Sequence, residues 1–404
     1  MSALKYWLWL SAAEWVSCGA KAALLKHYGD PERAFFAPNH EFRRIDGISD
    51  REAEILERRD MSRCPIIEEE CSYQNISIVT MSDSAYPEKL KNIYSPPPVI
   101  FVKGTIKSLD TFPYVAVIGT RKASAYGLKM GREMAWQICR CGGGVVSLLT
   151  AGIDTQVAKA ALLAGGKCVG VLGVPHELVN DRLSEDVAAH GALISEYPPG
   201  TKPVRSFFRE RNRIASGISL GVVVVEAPER SGTRFFACDA AEQGKEIFAV
   251  PGNADSENSV GTNALIKEGA KLVTNGAEVM EEFKALYPDI IKLSRESCPE
   301  PTEENEKDIK KTKKQENINK TQEKTVDKEK SRGYIDLHEQ LSALSEDQLK
   351  IITAIDKNAV HIDDIIESTG LPTAKVLAQL TFLEIKGYVR REAGRRISLN
   401  IAKK

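Results

Sequence analysis

Between Tyr114 and Ala285 the chain repeats one pattern, an apolar run, a turn and a helical stretch, and this repeat restricts the possible fold more than any other feature. The runs are Val115–Ile118, Gly144–Leu149, Cys168–Leu172, Ala192–Ser195, Leu220–Glu226, Glu246–Val250 and Lys271–Val273. Their near-continuous Val, Ile and Leu content predicts strands buried on both faces, as in a parallel sheet covered by helices. The expected fold class is therefore α/β, a Rossmann-like doubly wound parallel sheet. Right-handed crossovers place the C-terminal ends of these strands on one rim, where sheets of this kind bind ligands.

The first corner of that rim, Tyr114-Val-Ala-Val-Ile-Gly119-Thr-Arg-Lys-Ala-Ser-Ala-Tyr-Gly127, passes from a strand through a glycine into a helix start. Backbone N–H groups at such a corner suit an anion. The dinucleotide fingerprint G-x-G-x-x-G is not met, because Arg121 and Ser124 stand where its second and third glycines belong. A phosphate held partly by Arg121 is one reading, and a structural turn with an exposed arginine is the other. Asp154 and Glu226 fall at strand ends, as catalytic carboxylates or as groups that keep basic loops oriented. No nucleophile elbow, Walker motif or metal-ligand set is present, so neither an enzymatic activity nor a cofactor or metal is expected.

The densest cluster is Lys202-Pro-Val-Arg-Ser-Phe-Phe-Arg-Glu-Arg-Asn-Arg213. Cations that track phosphates, beside rings that stack bases at ~1–3 kcal/mol each, are what single-stranded nucleic acid needs. A solvated charged face is the bland alternative, and the two adjacent phenylalanines favour binding.

At 404 residues the chain is long enough for two or three domains. Residues 1–70 read as a small helical domain, and Ile45-Asp-Gly-Ile-Ser49 is similar to the turn of helix-hairpin-helix modules, with a packing turn as the alternative. Tyr6-Trp-Leu-Trp-Leu is too short for a signal or a membrane span. Residues 71–292 carry the α/β domain, led in by edge strands. Residues 293–335 are rich in Lys, Glu, Asn, Gln and Thr, and are expected to be a disordered charged linker. Residues 336–404 outline a C-terminal winged helix, with helices at Glu346–Asp356, Ile362–Ser368 and Pro372–Lys386, then two β runs carrying Arg390, Arg391, Arg395 and Arg396. A net charge of −1 excludes a uniformly basic coat but not a local basic groove. The eight cysteines, without C-x-x-C pairs, are expected to be reduced in a cytoplasmic protein.

Several motifs in order resemble the DNA-processing protein A (DprA/Smf) family. They are Val117-Ile-Gly-Thr-Arg121, Ala151-Gly-Ile-Asp154, Leu193-Ile-Ser-Glu-Tyr-Pro-Pro-Gly200, Phe208-Arg-Glu-Arg-Asn-Arg-Ile214, Ser231-Gly232, Phe248-Ala-Val-Pro-Gly252 and Gly261-Thr-Asn263. The resemblance implies a cytoplasmic protein that binds single-stranded DNA, protects incoming strands in natural transformation and helps load the RecA recombinase, as a homodimer through the α/β domain. It also implies a DNA-binding set of Gly119, Thr120, Arg121, Phe208, Arg211, Asn212 and Arg213, to which Lys202 and Arg209 are added from the cationic cluster and Arg234 as a replacement cation. Departures lie at Ala151, Lys159 and Phe236, where the family usually has an arginine, a histidine and a threonine. The competing reading is a nucleotide-cleaving hydrolase of the lysine-decarboxylase-like group, similar at Pro251-Gly252 and in using a rim carboxylate, but Asn253 interrupts its Pro-Gly-Gly-x-Gly-Thr run.

Overall fold

The computed structural model describes residues 3–293, 351, 354–355, 360–385, 389–392 and 396–399. The chain divides into two compact units, 1–312 and 313–404.

The first unit opens with six helices: α1 (Leu4–Ala12), α2 (Cys18–Tyr28), α3 (Pro31–Phe36), α4 (Asn39–Phe42), α5 (Asp50–Glu57) and α6 (Cys64–Tyr73). Their starts are written in the sequence. Asp30 accepts from the amides of Glu32 and Arg33 ahead of Pro31, and Ser49 with Glu52 forms a reciprocal capping box. The aromatic run of α1 is buried because Trp7, Leu8, Trp9 and Leu10 pack with Leu24, Phe42, Leu56 and Ile67. Val99 and Phe101 of the sheet join that cluster, so the helices share a core with the sheet edge. In the Ile45–Ser49 turn Gly47 takes φ 89°, while Ile45 and Ile48 anchor the turn in the same core.

The sheet and its helices follow: β1 (Ser77–Thr80), α7 (Glu88–Lys91), β2 (Val99–Gly104), β3 (Tyr114–Ile118), α8 (Ala125–Arg140), β4 (Gly144–Ser147), α9 (Ile153–Leu163) and β5 (Lys167–Leu172). Next come α10 (Arg182–His190), β6 (Ala192–Ser195), α11 (Arg205–Glu210), α12 (Asn212–Ile218), β7 (Gly221–Val224), α13 (Gly232–Glu242), β8 (Glu246–Ala249), α14 (Val260–Lys267), β9 (Lys271–Leu272) and α15 (Gly276–Phe283). The strand order is β1-β2-β6-β5-β4-β3-β7-β8-β9. From β6 to β9 every pairing is parallel, and β2 runs antiparallel to both β1 and β6. Alternate residues feed two cores. Val115, Val117, Val145 and Val223 point to one, while Ala116, Ile118, Val146 and Val222 point to the other, which is why the strands read as continuous apolar runs. Because β3 lies between β4 and β7, the chain reverses its direction of winding there, and the rim above β3 and β7 is the topological switch point. Strands β4 and β7 end one or two residues earlier than their apolar runs, since Leu148 and Val225 already belong to rim turns.

Among the described residues no helix is long and apolar enough to cross a membrane. Cys18, Cys64, Cys71, Cys139, Cys168 and Cys238 carry free thiols, but Cys141 is disulfide-bonded, a correction to the expectation that all are reduced.

The second unit holds β10 (Val360–His361), α16 (Ile362–Thr369), α17 (Thr373–Ile385), β11 (Val389–Glu392) and β12 (Arg396–Leu399), in the sheet order β10-β12-β11. Gly370 closes α16 at φ 63°, and Ile365, Val376, Leu380, Leu383 and Ile397 form the core of this winged helix. Residues 294–335 of the expected linker, most of the helix expected at Glu346–Asp356, and Arg395 lie outside the described residues.

Candidate nucleic-acid interface

At the switch point the position open to a cofactor phosphate is filled by the protein itself. Glu226, which follows β7, is 1% exposed. Its carboxylate accepts from the Ser124 amide at 3.0 Å, the Ser124 hydroxyl at 2.5 Å and Asn258 Nδ2 at 3.3 Å. Ser124 in turn caps α8 by accepting from the Gly127 amide at 3.0 Å. Gly127 is needed there, since a Cβ would stand 2.2 Å from Glu226 Oε2. A carboxylate therefore occupies the helix N-terminus where a dinucleotide fold keeps its pyrophosphate. The Ser124 amide at this corner thus already has an internal anion. Arg121 remains exposed outside the closed crevice.

The next rim turn, between β4 and α9, is tightly built. Leu149 sits at φ 51° and Gly152 at φ 86°, and a Cβ on Gly152 would lie 2.5 Å from Thr120 O and 2.6 Å from Arg121 O. Gly119 is equally close to this turn, a Cβ there falling 2.2 Å from Ile153 Cδ1. The turn thus braces the backbone that carries Arg121. Asp154, in the first turn of α9, is 1% exposed. One of its oxygens accepts from the Thr150 hydroxyl, while Oδ1 is buried without a partner. Burial pushes its carboxyl up to about 6, against the pull of Thr150 and Arg211. Arg211 approaches the same turn from the other side, donating from Nη1 to Leu148 O at 3.0 Å while its buried Nε has no partner. Burial lowers its guanidinium to about 10, opposed by the Asp154 charge. Arg121 and Arg211 therefore flank one turn.

The Lys202–Arg213 cluster separates into inward and outward groups. Phe207 stacks on Tyr197 with ring centroids 3.8 Å apart and planes inclined by 16°, whereas Phe208 is 45% exposed. Phe208 lies against Gly173, just past β5, where a Cβ would come within 2.9 Å of its ring, and the Arg211 guanidinium carbon is 5.8 Å from its centroid. Lys202 and Arg209 are exposed. Arg211, Asn212 and Arg213 are all buried, Arg211 at 5% exposure and Arg213 at 7%. Arg213 donates to Glu196 at 2.8 and 2.7 Å, to Ser95 O at 2.9 Å and to Glu210 O at 2.9 Å. All of its donor nitrogens face the interior, so it pins the cluster to the body of the unit and does not line an open groove. Arg234 pairs with Glu268 at 2.5 Å on the surface.

Two features escaped the sequence reading. Glu196, at 8% exposure, is the buried partner of Arg213, and a lone Glu after a strand carries no signal of that kind. Phe235 is 54% exposed, with the Arg209 guanidinium carbon 5.2 Å from its ring centroid. The adjacent Phe236 is 1% exposed, so the Phe-Phe pair of α13 repeats the one-in, one-out arrangement of Phe207 and Phe208, and that doublet was its available signal.

Fold and rim together define a Rossmann-like α/β protein whose cofactor corner is sealed, followed in the chain by a winged helix. The family model described as DNA recombination-mediator protein A matches residues 77–284, and that of the DprA winged helix domain matches 337–395. Protein Smf of Synechocystis is 30% identical over 400 residues, covering 97% of each chain. DNA processing protein DprA of Bacillus subtilis is 40% identical over 216 residues, 52% of this chain and 72% of that one. Among solved structures, DNA processing protein A from Streptococcus pneumoniae superposes with a TM-score of 0.60 at 30% identity, covering 69% of this chain and 97% of that one. The chain belongs to the DprA/Smf family.

Proposed function

We propose that this protein binds single-stranded DNA along the rim of its α/β sheet, protects strands entering the cell in natural transformation and hands them to the RecA recombinase, acting in the cytoplasm as a homodimer through the α/β domain. The observation that carries the reading is the exposed Phe208 ring with Arg211 behind it, on the same rim as Arg121. A ring is indifferent to base identity, and arginines hold phosphates, so recognition should depend little on sequence and strongly on salt. Gly119 and Thr120 position Arg121, Lys202 and Arg209 add charge at the margin, and Asn212 and Arg213 hold the cluster in shape. Family membership supports a role in DNA processing; the partners are our inference from the resemblance. Against the hydrolase reading, Glu226 is enclosed by Ser124 and Asn258 and is not presented to a substrate. Likewise the Pro251–Gly252 turn is held on itself by Asn263, which bonds both the amide and the carbonyl of Gly252.

The test is fluorescence anisotropy with labelled oligo-dT and a duplex of equal length, alongside an assay for nucleoside monophosphate cleavage. Preference for the single strand with no cleavage is expected. Equal affinity for the duplex, or turnover of a nucleotide, would overturn the reading.

A further inference from the structure

Phe235 is exposed without an evident structural reason. It lies in the first turn of α13, directly before the buried Phe236, and 54% of it faces solvent although a polar residue there would satisfy the helix equally well. It is not isolated. The Arg209 guanidinium lies 5.2 Å from the ring centroid, and Asp239, one helical turn along α13, draws the same guanidinium by charge. Arg209 therefore lies over the ring within range of a carboxylate's charge, and the ring is steadied on one side while most of it stays open. Arg234, the residue before Phe235, adds a second cation, tied to Glu268. Phe208 has the same construction, an exposed ring with a guanidinium near it, and Phe208 and Arg209 are consecutive in α11. Two ring-and-arginine pairs are thus linked through one short stretch of chain, one using Arg211 and the other Arg209.

We propose that Phe235, with Arg209 behind it, is a second stacking platform for a base of the same single strand, which extends the contact from Phe208 towards α13. This rests on the proposed reading of the rim as a single-strand site. Both pairs present a flat apolar face next to a cation, which is the combination that takes a base and its phosphate together. The Glu268 carboxylate keeps Arg234 oriented in the absence of DNA and gives way to phosphate when it binds.

The experiment uses the full chain and fluorescein-labelled oligo-dT, and compares Phe235→Ala, Phe235→Leu, Phe235→Trp and Phe208→Ala. Each variant is checked for folding by circular dichroism. Loss of one stacked base corresponds to a weakening of roughly five-fold to a hundred-fold. We expect Phe235→Ala and Phe235→Leu to weaken binding within that range with an unchanged salt slope, because stacking neutralises no phosphate. Phe235→Trp should retain affinity, and its added indole should be quenched on DNA addition by more than the wild-type signal. If Phe208→Ala weakens binding while Phe235→Ala and Phe235→Leu bind as wild type, the second platform is refuted and the rim reading stands. If Phe235→Leu binds as wild type and only Phe235→Ala is weak, the ring acts by bulk and the proposal also fails. Wild-type affinity in all four variants would remove the rim reading itself.

Discussion

Arg211 and Arg213 stand two residues apart in one cationic run, yet the structure gives them opposite tasks, and replacing each by alanine should separate them. Arg213 makes four hydrogen bonds at 2.7–2.9 Å, two of them to the carboxylate of Glu196, and both side chains are about nine-tenths buried. Removing the guanidinium leaves Glu196 charged in the interior and strands the carbonyls of Ser95 and Glu210. Breaking a buried pair from one side costs about 3–5 kcal/mol. At roughly 2 °C per kcal/mol for a large domain, Arg213→Ala should lower Tm by roughly 6–10 °C. Arg211 donates to Leu148 O, and its loss removes a cation that burial already disfavours. Arg211→Ala should therefore change stability by less than ~2 kcal/mol while weakening oligo-dT binding by ~1–3 kcal/mol, the range of a charge-assisted hydrogen bond. Thermal melts by circular dichroism and anisotropy on the same preparations read both quantities. The double variant Arg213→Met with Glu196→Met should recover most of the lost stability, since neither charge is then left alone. If Arg213→Ala melts as wild type, or Arg211→Ala is the less stable of the two, the division of labour argued here is wrong.

Further outcomes follow from the same geometry. Arg121→Ala should cost ~1–3 kcal/mol in single-strand binding with little change in Tm, and its salt slope should fall by about 0.7, the share of one phosphate on a single strand. Gly152→Ala should weaken binding without touching DNA, because its Cβ would press on the carbonyls that carry Arg121, and a shift of that turn is readable by hydrogen exchange. Asp154 has its carboxyl pushed up to about 6 by burial, so it is ionised at pH 7.5 and neutral at pH 5. Neutralisation frees Arg211 from its counter-charge, so affinity for oligo-dT should rise as pH falls through about 6, and Asp154→Asn should bind at pH 7.5 as wild type does at pH 5. For stability the sign follows from proton uptake. The folded protein holds the Asp154 proton to a higher pH than the unfolded chain, so this group's contribution falls as pH rises from about 4 to 6, and Asp154→Asn should raise Tm at pH 7.5 but not at pH 4. His176 works in the opposite direction. Burial lowers it to about 4, so the unfolded chain takes up its proton first, and its contribution, complete above about 6.5, is lost as pH falls through about 4. The acid limb of the stability curve should shift to lower pH in His176→Gln.

The sheet was legible because both faces of each central strand are buried. Val115 and Val117 enter one core and Ala116 and Ile118 the other, so no polar alternation interrupts the run. The winged helix was legible for a different reason, the glycine stop at Gly370 and the apolar spacing of Val376, Leu380 and Leu383. The site was harder to read. Composition placed Arg211 and Arg213 in one class, and only the tertiary position of Glu196 distinguishes them. A strand-end Glu226 resembled a catalytic carboxylate until Ser124 and Asn258 were seen to enclose it. The sealing of that corner depends on the close approach of Gly127, and a glycine in the first helical turn gives no hint of what stands over it.

The central claim is that the strand lies on the α/β rim. Photocrosslinking of an oligonucleotide carrying 5-iodouracil, followed by peptide mapping of the full chain, tests it most directly, because the iodinated base couples to the aromatic ring on which it stacks. The expected crosslinks fall at Phe208, and also at Phe235 if the second platform exists, and they disappear in Phe208→Ala at the first position alone. Crosslinks confined to residues 337–399, with none between Tyr197 and Phe236, would contradict the account.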